Sequence, residues 1–272
     1  MSTIPASVGI LTFNSGATLR RALESVKEFD DIVVCDGGST DDTLKIAAEF
    51  GARVITQDPQ FKSPDGRLAN FSGVRNQLIG AAKHDWFLYI DSDEAASQEL
   101  CQEVRAIASG ATGKDTPVAY RIPMRIVIKG REISCSSNYP GWQTRLFRRS
   151  SGLMFIKTVH ERLSVELWDK RVGQLAGPWY VYMDDHEVRH YVRANMRYIR
   201  MQAKANAAAS FGAYISRDIV GMLIISLKVL LKTVWGYLRC GTQGSMPLSV
   251  EWGRFLYPLV LIYYTTKERY GR

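Results

Sequence analysis

Cysteine is scarce in this chain and is scattered along it. Four are present in 272 residues, at positions Cys35, Cys101, Cys135 and Cys240. No two of them form a C-x-x-C pair, which argues against a zinc site built from closely spaced thiolates. We therefore predict that all four are reduced thiols and that the chain works in a reducing compartment.

Long apolar runs are missing as well. No uninterrupted stretch of about 18 apolar residues occurs, so the sequence predicts no membrane-spanning helix. The opening residues, MSTIPASVGILTFN, lack the basic region and apolar core of a secretory leader, and none is expected.

Negative charge is in short supply only in the last third of the chain. The formal net charge is +8, and residues 187–272 hold 13 Lys or Arg against 4 Asp or Glu, which gives +9 for that section. Such a basic section predicts an anionic partner, for example a membrane surface or phosphorylated lipids. Nucleic acid is not expected, because the basic residues are not interleaved with a nucleic-acid-binding motif.

The first part of the chain alternates strands and helices. Strands are expected at 7–13, 32–38 and 52–57, and helices at 15–29 and 39–50. Ser39 and Asp42 have the spacing of a capping box at the start of the second helix. A β-α-β-α-β order predicts an α/β fold with a parallel sheet.

The stretch WFLYIDSDEAA, residues 86–96, carries the clearest chemical signal. Its short apolar run predicts a central strand buried on both faces. Asp91, Asp93 and Glu94 then lie at the carboxyl end of that strand, where open α/β sheets bind ligands. Carboxylates so close together repel each other unless a cation lies among them, and hard oxygen ligands suit Mg²⁺ or Mn²⁺. The alternative is an acidic helix start capped by Ser92 or Asp93.

Other candidate residues lie at the ends of neighbouring elements. Asp36 ends the second strand, where it could contact a ribose or base, or only shape the turn at Gly37 and Gly38; the glycine spacing there does not match G-x-G-x-x-G. Arg67 and Arg75 bracket the start of a helix that leads into the acidic strand. They suit a diphosphate, although two solvated arginines would fit the pattern too.

Glu161 is the candidate general base. It follows His160 in the segment VHERL, and burial would raise its pKa toward the working pH. A solvated or salt-bridged glutamate is the alternative.

Together these motifs resemble family 2 glycosyltransferases, the inverting GT-A class, over roughly residues 8–163. The resemblance rests on the strand ending Thr12-Phe13-Asn14, on DGGSTDDT from Asp36, on the Arg75-Asn76 helix, on WFLYIDSDE and on the VHE triplet. It implies a GT-A fold with a mostly parallel central sheet.

The resemblance also implies a role for each candidate residue. Thr12, Asn14 and Asp36 would contact the nucleotide of a donor such as a UDP-sugar. Arg67 or Arg75, with Asp91, would lie near its ribose and diphosphate. Asp93, with Asp91, would hold Mg²⁺ or Mn²⁺, and Glu161 would be the base. In other branches of the family the base is an Asp in an ED pair, which this chain does not have at that position.

The subgroup that looks most similar adds sugars to lipopolysaccharide cores or other lipid-linked glycans. There the VHE triplet is followed by a helix that opens with His-Tyr, here His190-Tyr191. This implies a lipid-linked glycan acceptor and a peripheral position on the cytoplasmic face of the cell membrane. A polyprenyl-phosphate glycosyltransferase, which needs no base and would survive Glu161→Gln, is an alternative. A non-catalytic nucleotide-binding α/β module is another.

We expect a catalytic domain over residues 1–185 and a helical extension over 186–272. The extension should begin with one helix over 187–211 that carries a basic stripe, which consists of Arg189, Arg193, Arg197, Arg200 and Lys204. The apolar segments 218–239 and 255–264 then form either buried core helices or a pair lying on an anionic membrane.

Overall fold

The structure is a computed structural model that describes residues 3–64, 66–111, 117–139, 141–156, 162–183, 188 and 191–271. The chain divides into two compact units. The first comprises Met1–Arg125 and Gly141–Val181, and the second Ile126–Pro140 and Tyr182–Arg272. The predicted domain boundary, between residues 185 and 186, lies outside the described residues.

One sheet organises the first unit. Its strands are β1 (Ile4–Thr12), β2 (Phe29–Asp36), β3 (Arg53–Thr56), β4 (Trp86–Asp91), β5 (Glu94–Ala96), β6 (Ala119–Ile128), β7 (Arg131–Ile133), β8 (Gly141–Arg148), β11 (Val172–Gln174) and β12 (Trp179–Met183). β9 (Phe155–Ile156) and β10 (Arg162–Leu163) form a separate hairpin-like pair. The helices of this unit are α1 (Leu19–Val26), α2 (Thr43–Glu49), α3 (Phe71–Ala81) and α4 (Gln98–Ala108).

The sheet combines a parallel half with an antiparallel half. Its order is β3-β2-β1-β4-β8-β6-β12-β5, with β7 and β11 each paired to β6. β7 and the last residues of β6 and β12 belong to the second unit. The first four strands are parallel, as predicted, while β8 runs antiparallel to both β4 and β6. The chain between β6 and β8 contains no helical crossover, and strands joined without one pair antiparallel.

The central strand β4 is buried on both faces, which confirms the prediction. Leu88 and Ile90 lie in the core cluster formed with α1, α2 and α4, whereas Phe87 and Tyr89 lie in the cluster formed with α3. Successive side chains of a strand point to opposite faces, so an apolar run of this length covers both sides of the sheet. The acidic residues that follow it are thereby held at a fixed edge.

The capping box predicted at Ser39 and Asp42 is wrong. Asp42 is the N-cap of α2 but its side chain makes no capping hydrogen bond. Asp41 instead accepts a hydrogen bond from the backbone N–H of Thr43 (3.0 Å), and the Ser39 hydroxyl donates to Asp36. The loop before α2 is therefore folded around Asp36 rather than around the helix end.

The second unit is mainly helical. It contains α5 (Tyr191–Ala207), α6 (Met222–Gly244) and α7 (Leu248–Tyr270). Ile199 and Ala203 of α5 pack against Leu261 of α7 in a small buried cluster. Of the predicted basic stripe, Arg193, Arg200 and Lys204 are exposed on α5, whereas Arg189 and the side chain of Arg197 lie outside the described residues.

One helix is long and apolar enough to cross a membrane by length and composition, whereas the sequence predicted no spanning helix. A short α-helix Phe211–Ala213, a π-helical segment Tyr214–Gly221 and α6 follow one another over the 34 residues Phe211–Gly244, and the backbone is non-helical at Gly241. Only 11% of its most apolar 18-residue window is buried. Lys228 and Lys232 interrupt the apolar run in the sequence, but both residues are compatible with a helix and do not end it. The low burial also argues against a buried core helix here.

The prediction of four reduced cysteines is wrong for two of them. Cys135 and Cys240 form a disulfide across 105 residues, while Cys35 and Cys101 are free and buried. The backbone explains the pairing, because Cys135 donates to the Gly244 carbonyl (3.0 Å) and accepts from the Met246 N–H (2.9 Å). Spacing along the sequence does not report such a tertiary approach. Cysteine content therefore no longer argues for a reducing compartment.

Candidate active site

Three strands bring polar side chains to one edge of the sheet. Thr12 at the end of β1 pairs in register with Asp36 at the end of β2, and Leu11 pairs with Asp91 at the end of β4. The carboxyl ends of parallel strands meet at the same edge, which is where ligands of open α/β sheets bind. The structure thus brings Thr12, Asp36 and Asp91 together as predicted.

Asp36 is almost completely buried and fully hydrogen-bonded. Its carboxylate accepts from the hydroxyl of Thr12 (2.9 Å), from the hydroxyl of Ser39, and from the backbone N–H groups of Gly38 and Ser39 (both 2.8 Å). Burial alone would raise the pKa of Asp36, but these hydrogen bonds outweigh it and lower the pKa. Asp36 therefore shapes its turn, and its predicted contact with a nucleotide stays a prediction.

We expect Asp36→Asn to lower the free energy of unfolding by about 1–3 kcal/mol at pH 7, since the neutral amide offers one acceptor oxygen where the carboxylate offers two to two hydroxyls and two backbone N–H groups. Because the folded pKa is lowered, the stabilisation is present above the unfolded pKa of about 3.9 and is lost as the pH falls through the folded pKa. Urea unfolding from pH 7 to pH 3 measures this.

Asp42→Asn is the matched control for that experiment. Asp42 lies in the same loop, is exposed, and caps nothing with its side chain. Its variant should unfold like the wild type at every pH. Equal stability of the Asp36 and Asp42 variants at pH 7 would show that the Asp36 hydrogen bonds do not stabilise the turn.

Asn14 and Ser15 connect the two acidic loops. Asn14 has a positive φ of 49°, and its side-chain oxygen accepts from the Thr40 N–H (2.8 Å) while its own N–H donates to Ser39 (2.8 Å). The Ser15 N–H donates to Thr43 (2.7 Å), and the Ser15 hydroxyl accepts from Ser92 in the acidic turn (2.9 Å). The structure therefore joins the loop after β1 to both candidate motifs.

Arg75 is not a solvated surface residue. It is buried on α3, and its Nη2 donates to Oδ1 of Asp91 (2.9 Å). Its guanidinium also lies over the rings of Tyr89 (4.8 Å) and Phe155 (5.5 Å). Burial would raise the pKa of Asp91, but the charges of Arg75 and then Arg145 outweigh it and lower the pKa. Asp91 is thus held as a carboxylate.

Glu94 has turned away from the acidic turn into the protein. It forms a buried bidentate pair with Arg145 of β8 (Nη2 to Oε1, 2.9 Å) and accepts from the indole N–H of Trp179 (3.0 Å). Its second oxygen accepts from the backbone N–H of Asp91 (2.8 Å). The cation that compensates Glu94 is therefore a guanidinium, and Glu94 positions the turn.

Asp93 remains exposed on the acidic turn. Its carbonyl accepts from Nη2 of Arg21 (3.0 Å). Loss of hydration on this turn, followed by the negative charge of Asp91, raises the pKa of Asp93. A carboxylate that is disfavoured by its neighbour is one that a bound cation would stabilise.

The acids of this edge fit a Mg²⁺-type ion whose ligands come partly from the protein and partly from a substrate. Among the described residues, no group of three or more His, Cys, Asp or Glu side chains could hold a metal. Mg²⁺, however, is typically bound through one or two carboxylates plus substrate phosphates, and it keeps several waters. Asp91 and Asp93 supply that donor set.

A cavity of about 490 Å³ opens beside Asp91 and Arg75. It lies within the first unit and is lined by Tyr89, Asp91, Arg75, Trp142, Gln143, Thr144, Arg145, Phe155, Arg162, Leu163, Val165, Glu166 and Leu167. Its volume and its mixture of apolar walls with a few charged groups are typical of a small-molecule site.

Comparison with known proteins decides the family. The model of glycosyl transferase family 2 matches residues 7–159, which is more than half of the chain. This chain belongs to glycosyl transferase family 2. The matched segment contains the whole polar edge described above and ends just before His160.

Known relatives agree with this membership. The chain is 25% identical over 236 residues to an uncharacterized glycosyltransferase of Rickettsia prowazekii, covering 86% of this chain and 75% of the relative. An uncharacterized glycosyltransferase of Rickettsia typhi is 35% identical over 129 residues, covering 47% of this chain and 41% of the relative. The crystal structure of S. aureus TarS with UDP aligns over 100% of this chain and 92% of its own at 15% identity, with a TM-score of 0.48, too low to bear on the substrate.

The remaining predicted residues of this glycosyltransferase do not gain support from the geometry. Arg67 is exposed in the loop before α3, whereas Arg75 is buried beside Asp91. Glu161, His160 and His190 lie outside the described residues, so the predicted base stays a prediction.

Sequence reasoning missed Arg145 and Trp179. Arg145 stands in the motif QTRLFRR, which predicted only a short strand, and its partner Glu94 is 51 residues away. The signal that the sequence offered was the apolar residues next to Arg145, which indicate a buried strand. A charged residue in a buried strand requires a partner of opposite charge.

Proposed function

We propose that this family 2 glycosyltransferase transfers a sugar from a UDP-sugar to a hydroxyl of a lipid-linked glycan, with inversion at the anomeric carbon and with Mg²⁺ or Mn²⁺ bound. Glycosyltransferase activity follows from the family. The donor, the metal and the acceptor are the proposal. The observation that carries it is the Arg75–Asp91 pair in the lining of the cavity, with the exposed Asp93 two residues further along the same acidic turn.

These residues suit a diphosphate leaving group. Asp91 and Asp93 would hold the metal ion, which when bound neutralises the charge that develops on the departing diphosphate. Arg75 fixes the Asp91 carboxylate through its hydrogen bond, so Asp91 does not have to reorganise when the donor arrives. Glu94 fixes the backbone of the same residue from the other side.

The acceptor side of the proposal rests on the cavity and on the resemblance. Trp142 and Phe155 give the cavity aromatic walls, against which the apolar face of a sugar ring can pack. Glu161 is proposed to take the proton of the attacking hydroxyl, because a hydroxyl is a poor nucleophile until a carboxylate accepts its proton. We propose that the reaction takes place at the cytoplasmic face of the cell membrane, where a lipid-linked acceptor would be presented.

Release of UDP from individual sugar nucleotides tests the donor. We expect one UDP-sugar to be hydrolysed slowly by the purified chain in the absence of acceptor when Mg²⁺ or Mn²⁺ is present, and the rate to fall to background with a chelator. Saturating UDP with metal should also raise the midpoint of thermal unfolding, because ligand at about 100 times its Kd contributes about 2.7 kcal/mol. Binding and hydrolysis that are unchanged by chelation would contradict the metal assignment, and no binding of any UDP compound would contradict the donor.

A further inference from the structure

Helix α6 has one packed side and one bare side. On the packed side the Ser226 hydroxyl donates to the Phe255 carbonyl (3.1 Å) and the Thr233 hydroxyl donates to Glu251 (3.2 Å), so this side faces α7. On the other side, within the described part of the second unit, large apolar side chains are between 42% and 77% exposed. They are Leu223, Ile224, Leu227, Leu230, Leu231, Val234, Trp235 and Leu238.

These eight residues form a single apolar face, and the cations of α6 border it. At about 100° per residue the eight occupy an arc of about 140°. Lys228, Lys232 and Arg239 fall in an adjoining strip about 40° wide on one border of that arc. All three are exposed, and α6 contains no Asp or Glu. Ile225, which is 42% exposed, lies beyond the cationic strip, and the other exposed large apolar residues of α6 lie together on one side of that strip.

We propose that this apolar face lies in the headgroup layer of an anionic membrane, with the axis of α6 parallel to the surface. A helix with an apolar face and a cationic border is the pattern of interfacial helices, whose apolar side enters the boundary between headgroups and acyl chains. Lys228, Lys232 and Arg239 would reach anionic headgroups while their aliphatic stems stay in the apolar layer. The occupant of the face is therefore the lipid surface.

The positions of the cations favour a helix that lies on the membrane over one that crosses it. The helical residues of α6 before Gly241, 222–240, extend about 28 Å, and with the π-helical segment before them they are long enough to span a bilayer. Lys228 and Lys232 would then be in the apolar interior of the bilayer, where each lysine lowers the equilibrium constant for insertion by about a hundredfold. On the surface both remain solvated.

This proposal stands on the second unit and does not depend on the donor chemistry of the first. Its failure would leave the UDP-release result unchanged, and a failure of that test would not affect membrane binding. The two can therefore be distinguished with the same preparation of full-length chain.

Vesicle co-sedimentation of the full-length chain is the test. We expect binding to vesicles that contain phosphatidylglycerol, and much weaker binding to pure phosphatidylcholine vesicles. The triple variant Leu227→Gln, Leu231→Gln and Leu238→Gln should bind at least about a hundredfold more weakly, since each leucine removes apolar area from water. Leu44→Gln is the matched control, because Leu44 is a half-exposed leucine on helix α2 of the first unit.

A charge variant keeps the proposal testable if the triple variant does not fold. Lys228→Gln with Lys232→Gln should weaken binding by about 25-fold at low salt, at about fivefold for each lysine near an anionic surface. The pair Lys45→Gln and Lys83→Gln, two exposed lysines of the first unit, should leave binding unchanged.

Three results would overturn the proposal. The wild-type chain could fail to bind either kind of vesicle. It could resist extraction from membranes by alkaline carbonate, which would indicate a spanning helix. It could also be a dimer in solution that the triple variant dissociates, which would identify the face as a contact between two copies of the chain.

Discussion

Replacing Asp93 by asparagine should lower kcat/KM for sugar transfer by about a thousandfold while leaving the fold intact. Asp93 is the exposed carboxylate at the end of the central strand, and we propose that it holds the metal ion that neutralises the leaving diphosphate. The amide has nearly the same shape but carries no charge. Donor hydrolysis without acceptor should fall in parallel, because it requires the same leaving group.

Thermal unfolding of Asp93→Asn distinguishes a loss of metal binding from a loss of structure. The pKa of Asp93 is raised by its loss of hydration and by Asp91, so above that pKa the charged form destabilises the folded state. Asp93→Asn should therefore unfold at a temperature equal to or above that of the wild type. Full activity of the variant, or activity that survives a chelator, would refute the role given to Asp93.

Asp30→Asn is the control, because we expect it to lower stability and leave activity unchanged, the reverse of Asp93→Asn. Asp30 lies at the amino end of β2, away from the polar edge, and hydrogen-bonded His84 holds its pKa below the ordinary value. Its variant should keep full transferase activity and lose stability slightly at neutral pH. A drop in activity comparable to that of Asp93→Asn would mean that the assay reports general destabilisation.

Arg145→Met should lower the free energy of unfolding by about 3–5 kcal/mol, the second large effect that we expect. Arg145 and Glu94 are both buried, and the variant would leave the Glu94 carboxylate in the core without its cation. Arg145 is held as a cation because the charge of Glu94 offsets the cost of burying it and raises the pKa of Arg145. Urea unfolding at pH 7 measures the loss.

A double variant tests whether the two residues act as a pair. Glu94→Gln keeps one acceptor oxygen, which can serve either the Trp179 indole or the Asp91 N–H, and it removes the buried negative charge that Arg145→Met would leave without a cation. Glu94→Gln with Arg145→Met should therefore lose less than the sum of the single losses. Arg20→Met, which breaks an exposed pair with Glu49, should cost at most about 1 kcal/mol. Equal losses for Arg145→Met and Arg20→Met would show that burial of the pair is unimportant.

The pair also bears on activity, because Glu94 holds the backbone of Asp91. We expect kcat of Arg145→Met to fall with KM for the donor little changed, measured below the unfolding transition. The reason is that a displaced acidic turn would still meet the nucleotide but would support the leaving group poorly.

The amino-acid sequence by itself determined the alternation of strands and helices and the placing of Asp36, Asp91 and Asp93 at one edge. Both follow from local rules: the period of apolar residues identifies each element, and parallel strands separated by helices end at a common edge. The family resemblance followed from the same motifs, and the match to the family model confirmed it.

Only the tertiary structure decided which charges are compensated and which faces are covered. Glu94 was expected to be one of three acids around a cation, but β8 places Arg145 beside it. Arg75 was expected either at a diphosphate or in solvent, and α3 packs it against Tyr89. The Cys135–Cys240 bond and the bare side of α6 arose in the same way. Each depends on contacts between residues far apart in the chain, and apolar periodicity within a single element contains no information about them.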